Sequence, residues 1–117
     1  MKAVLQEILN KVPGALGAAV VGVDGIAVEK ASTGAETNID LLSAEGINVV
    51  KRAASSMRDG GAGPLEELSI TGSSRTIILR ALGSDYYLCL VVGPEAIMGR
   101  ARYEAWKAGL QLQESIG

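Results

Sequence analysis

The sequence has no histidine, no phenylalanine and a single cysteine. Without histidine there is no Ser-His or Cys-His nucleophile pair. The lone Cys89 sits in the apolar run Tyr86-Tyr87-Leu88-Cys89-Leu90-Val91-Val92 and reads as a small buried hydrophobe. One cysteine allows no disulfide framework. With carboxylates scattered singly, there is no cluster of metal ligands either, and no cofactor is expected. Gly60-Gly61-Ala62-Gly63-Pro64 is glycine-rich, but it follows a helical pattern and lacks the Lys and Ser/Thr of a phosphate-binding loop. It reads as a turn. The chain is therefore not expected to be an enzyme, nor to bind or hydrolyse nucleotides by itself.

Charge of one sign is also missing. Eleven basic residues stand against 13 acidic ones, for a net charge of −2. Nucleic acid is excluded as the main partner, because phosphate binding needs a basic excess on one face. Base stacking is poorly served by one Trp and three Tyr. Tyr86 and Tyr87 are strand neighbours that point to opposite faces. No apolar run reaches the ~18 residues of a membrane span. In Met1-Lys2-Ala3-Val4-Leu5-Gln6-Glu7 the polar pair interrupts the apolar run too early for a signal peptide, so a cytoplasmic location is expected. What the chain does have is 48% apolar residues, dominated by Val, Ile, Leu and Ala, together with 15 glycines. Its 117 residues fit a single domain over 1–117 with one thin, closely packed core.

Residues 2–12 carry Val4, Leu5, Ile8, Leu9 and Val12 at helical spacing, ended by Pro13-Gly14. Ala15 to Val23 reads as a strand covered on both faces, Asp24-Gly25 as a hairpin turn, and Ile26 to Ala31 as the return strand. Asn38 or Asp40 caps a middle helix over 39–58. Three short strands follow at 66–71, 75–81 and 86–92, and Gly93-Pro94 opens a last helix over 95–115. The order is α-β-β-α-β-β-β-α. Short turns make strand neighbours antiparallel, so the fold class is α/β: a single five-stranded antiparallel sheet sandwiched by helices.

On the middle helix, apolar positions spread from about 180° to about 340° around the axis, counted from Asp40 at 100° per residue. That arc exceeds the stripe needed to lie on a sheet. Gly46, Val50 and Ala54 share it, and a mid-helix glycine costs ~1 kcal/mol relative to alanine. Either another backbone approaches there or the whole arc packs on the chain's own sheet. The strand 66–71 alternates, with Leu68 and Ile70 on one side, and its acids Glu66 and Glu67 guard only one end. These features predict a two-fold pair through Gly46, Val50, Ala54, Leu68 and Ile70. The opposite helix face, with Glu45, Asn48, Lys51, Arg52 and Ser55, is the candidate partner surface. On the last helix, Gly99, Tyr103, Trp106 and Leu110 form a bulky face. It either packs on the first helix or docks a partner. Arg100, Glu104, Lys107, Gln111 and Glu114 read as its solvated face.

Two stretches carry a family resemblance. Val12-Pro13-Gly14-Ala15-Leu16-Gly17-Ala18-Ala19-Val20-Val21, followed by Asp24-Gly25-Ile26-Ala27-Val28, resembles the opening of the roadblock/dynein light chain domain. Leu88 to Val92, followed by Ile97-Met98-Gly99-Arg100-Ala101-Arg102-Tyr103, resembles its last strand and helix. The likeness is to the MglB-like, bacterial or archaeal type. It implies a profilin-like sheet with the middle helix on one face and the terminal helices on the other. It also implies homodimers joined through their third strands with the middle helices side by side, and association with Ras-like small GTPases. Three functions are weighed: a regulator or scaffold of such a GTPase, a light-chain-like adaptor, and a small-ligand sensor. A sensor needs convergent polar groups in an apolar pocket, which the small apolar inner faces do not offer.

Overall fold

The computed structural model describes residues 1–34 and 36–116. The elements are α1 (Lys2–Lys11), β1 (Ala15–Gly22), β2 (Ala27–Ser32), α2 (Ile39–Asp59), β3 (Glu67–Thr71), β4 (Thr76–Leu82), β5 (Tyr86–Val92) and α3 (Met98–Ile116). All pairings in the five-stranded sheet are antiparallel, and the strand order is β2-β1-β5-β4-β3. β1 and β5 occupy the middle and are almost wholly buried, as their two-sided apolar runs require. β2 and β3 form the two edges.

Alternation along the strands splits the interior into two layers. Ala18, Val20, Leu88, Leu90 and Val92 point to one face, where Leu5, Ile8 and Val12 of the α1 end and Ala101, Ala105, Ala108 and Leu112 of α3 cover them. Ala19, Val21, Leu79, Cys89 and Val91 point to the other, under Ile39, Ile47 and Val50 of α2. The alanine-rich face of α3 explains how a core without phenylalanine closes: small side chains let the helix settle close to the sheet. Cys89 is fully buried among these residues, and burial pushes its thiol pKa up to about 12. The thiol is therefore neutral at pH 8. Ellman's reagent should leave it unmodified in the native protein and titrate one thiol after denaturation; rapid native labelling would contradict a closed core.

α2 begins at Asn38, whose side chain accepts a hydrogen bond from the Leu41 amide at 3.0 Å. Of the two candidate caps, Asn38 therefore holds the end. Asp40 instead pairs with Lys30 of β2, fastening the start of the helix to that edge. α3 starts three residues later than expected. The Ala96 amide donates to the Gly93 carbonyl, so the chain after β5 makes a turn before the helix begins.

The surfaces of α3 differ from expectation. Tyr103, Trp106 and Leu110 do not pack on α1; they are exposed. α1 lies instead along the flank that carries Glu104, Lys107, Ala108 and Gln111. Glu104, expected in solvent, is buried there, with Lys107 at 4.0 Å. Arg100 fastens the same seam by donating to the Lys11 carbonyl at 2.9 Å.

Candidate functional site

The two sheet edges are built differently. On β2 the register passes from Val20 opposite Glu29 to Val21 opposite Ala27, so Val28 is an extra, unpaired residue. Such a bulge bends the strand and spoils it as a template. The charges on this edge, Lys30 and Glu29, are engaged by Asp40 and Lys2 of the same chain, so the bulge is what sets it apart. β3 carries no bulge. It pairs with β4 in regular register from Glu67 opposite Arg80 to Thr71 opposite Thr76. Its one carboxylate, Glu67, is neutralised from two sides. Arg80 Nη1 donates to Oε1 at 3.4 Å, and Arg102 Nε of α3 donates to Oε2 at 2.8 Å. Of the two acids expected to guard the edge, Glu67 is thus spent inside the chain, while Glu66, just before the strand, is exposed and enters no ion pair among the described residues.

Glu67 is well covered, so its loss leaves Arg80 without a counter-ion in a half-buried position. Glu67→Gln should cost about 1–2 kcal/mol, read as a lower urea midpoint at unchanged slope. No change would mean that solvent already screens the cluster.

The helix above this edge is turned differently from the expected arrangement. Gly46 and Val50 face the chain's own sheet and are buried. A β-carbon on Gly46 would meet Leu79 Cδ1 at 3.0 Å, so the close approach that glycine permits is to β4 and not to a second helix. Ala54 packs against the same inner cluster. Gly46 and Val50 are therefore out of reach of a partner. The reason is orientation. Asp40 holds one flank of α2 over β2, and Ala44 stands above the Gly25 turn. The opposite flank, roughly 80° around the helix from Val50, carries Leu42, Val49 and Ala53 and faces away from β2. Val49 is 43% exposed and Met57 38%. Leu42 and Ala53 are half-buried, as are Leu68, Ile70 and Ile77 on the strands below, all against one cluster. The expected Leu68 and Ile70 are thus half-buried apolar residues at the open edge, packed on the same cluster as the flank of α2.

The outward face of α2 brings together the expected Glu45, Asn48, Lys51 and Arg52, all exposed. Ser55 is half-buried beside them and accepts a hydrogen bond from Arg58 Nη2 at 3.2 Å. Sequence reasoning missed Leu41, which is 55% exposed in the same stripe. Its spacing to Glu45, Asn48 and Arg52 was the available signal. Among the described residues, no group of three or more His, Cys, Asp or Glu could hold a metal ion. No helix among them is long and apolar enough to cross a membrane.

Known proteins share this architecture. A Roadblock/LC7 domain from Streptomyces avermitilis superposes with a TM-score of 0.88 at 17% identity, over 99% of this chain and 97% of that one. MglC from Myxococcus xanthus gives 0.74 at 24% identity, over 97% and 96%. The gliding protein MglB from Thermus thermophilus gives 0.86 at 18% identity, over 96% and 84%. At these identities the likeness is one of fold. Among curated proteins, none matches by sequence. The family model of the Roadblock/LC7 domain matches residues 1–92, most of the chain, and the protein belongs to that family.

Proposed function

We propose that the chain is a cytoplasmic, homodimeric interaction module that docks a Ras-like small GTPase, acting as a regulator or scaffold and not as an enzyme. The observation that carries the pairing is the contrast between edges: β2 is bulged, while β3 is in regular register and carries half-buried Leu68 and Ile70. A two-fold joining β3 to its copy would continue the sheet and bury Val49, Ala53, Leu68 and Ile70 of both copies. The expected association with Ras-like GTPases comes with family membership. The docking face in this reading is the outward side of the two α2 helices. Its mixture of Glu45, Asn48, Lys51 and Arg52 around Leu41 suits a reversible partner, since permanent interfaces are more apolar.

A pull-down of the candidate GTPase, loaded with GDP or a GTP analogue, tests this reading. Lys51→Glu combined with Arg52→Glu should leave the dimer intact and weaken capture about a hundredfold. Equal capture by wild type and double mutant would move the site away from α2. Capture that ignores the nucleotide would make the protein a light-chain-like adaptor.

A further inference from the structure

α2 is electrically lopsided along its length. Its first half holds Asp40 and Glu45 and no basic residue; beyond Val50 come Lys51, Arg52 and Arg58, with Asp59 as the only acid, at the helix end. Asp40 is paired with Lys30, whereas Lys51, Arg52 and Arg58 enter no ion pair among the described residues. At the basic end an open cleft of about 520 Å³ separates α2 from the turn between β4 and β5. Ala54, Leu65 and Tyr87 give it an apolar lining, and Arg58 and Ser84 supply polar groups. Gly61, Gly63 and Gly83 line it without side chains to fill it. No carboxylate lines it. Asp59 and Asp85, the acids adjacent in sequence, are exposed and take no part in the lining.

We infer that this cleft receives one bulky apolar side chain of an acidic partner segment, whose flanking carboxylates lie on Arg58 and Lys51. The chemistry is that of binding pockets in general: an apolar body with few polar groups to orient the guest. Two unpaired cations on one side of the helix, Arg58 in the lining and Lys51 about 20° from it around the axis, select an acidic segment and reject a basic one. Charge would bring the segment to the helix, and burial of its apolar side chain would hold it there. The inference takes α2 as the docking helix, but it does not require the partner to be a GTPase.

The test is an NMR titration of the isotope-labelled chain with a synthetic peptide bearing one phenylalanine between aspartates and glutamates. Resonances of Ala54, Leu65, Ser84 and Tyr87 should shift together, and affinity should fall as salt rises. A peptide with alanine in place of phenylalanine should bind about tenfold more weakly, and so should a lysine-for-acid peptide. Ser84→Trp, which fills the cleft from an exposed turn, and Arg58→Glu should each weaken binding about tenfold. Circular dichroism confirms that both variants are folded. Shifts centred on Tyr103, Trp106 and Leu110, equal binding of the lysine peptide, or no binding at millimolar peptide would each overturn the inference. The titration contains no GTPase, so its failure is scored separately from failed GTPase capture.

Discussion

In the proposed pairing through β3, Ile70→Arg should leave a folded monomer, with the dissociation constant raised at least about a hundredfold. A two-fold contact uses each residue twice, so one substitution places two arginines at the seam. Each loses the apolar contact of Ile70 and brings a charge toward Leu68, Ile77 and its own copy. Two losses of about 1.4 kcal/mol give that factor. The fold should survive, because Ile70 is only half-buried at the edge of the sheet. Sedimentation equilibrium with circular dichroism distinguishes the outcomes. A wild-type chain that stays monomeric at high micromolar concentration would remove the pairing altogether. A variant that still pairs would move it to another surface.

Gly46→Leu should unfold the chain or lower its melting temperature by more than about 10 °C. Its β-carbon alone would stand 3.0 Å from Leu79 Cδ1, and three further carbons would have to enter a closed layer between α2 and β4. Overpacking of this size costs roughly 3 kcal/mol, a large share of the ~5–15 kcal/mol that holds a domain together. Gly46→Ala is the graded comparison. It gains ~1 kcal/mol of helix propensity and loses a similar amount to the tight contact, so it should be close to neutral. Calorimetry of both variants decides the matter. A leucine variant with normal melting but impaired pairing would place Gly46 between two helices after all.

The order of elements was readable from the residues because each has a local cause. Pro13-Gly14, Asp24-Gly25 and Gly93-Pro94 punctuate the chain, and apolar spacing switches between helical and alternating periods. The family likeness lay in those same residues. What could not be read was which side of an apolar arc meets the chain's own sheet. Gly46 and Val49 belong to one arc, yet one is buried and the other 43% exposed. The rotation that separates them is set by burial of Ile39, Gly46, Ile47 and Val50 on the sheet, with the exposed Asp40–Lys30 pair a minor aid. Glu104 failed for a related reason. A charged residue reads as solvated, and its burial depends on α1, far away in sequence. For Trp106 and Leu110 the residues left two readings open, packing on α1 or an open face, and the structure leaves them exposed. The state of Glu67 needed both Arg80 and Arg102, on two other elements, to be placed around it.

In the proposed pairing, the extra residue at Val28 sets the valence of the molecule. A sheet with two receptive margins is the repeat unit of a ribbon: each copy recruits the next, and mass grows with concentration until the material leaves solution. A sheet with one receptive margin is self-terminating. Where two copies join through β3, the combined sheet has ten strands, five from each, and shows a bulged β2 at both ends. Neither end offers a regular ladder to a third copy. On the proposed pairing, raising the concentration should yield more pairs and not longer ribbons.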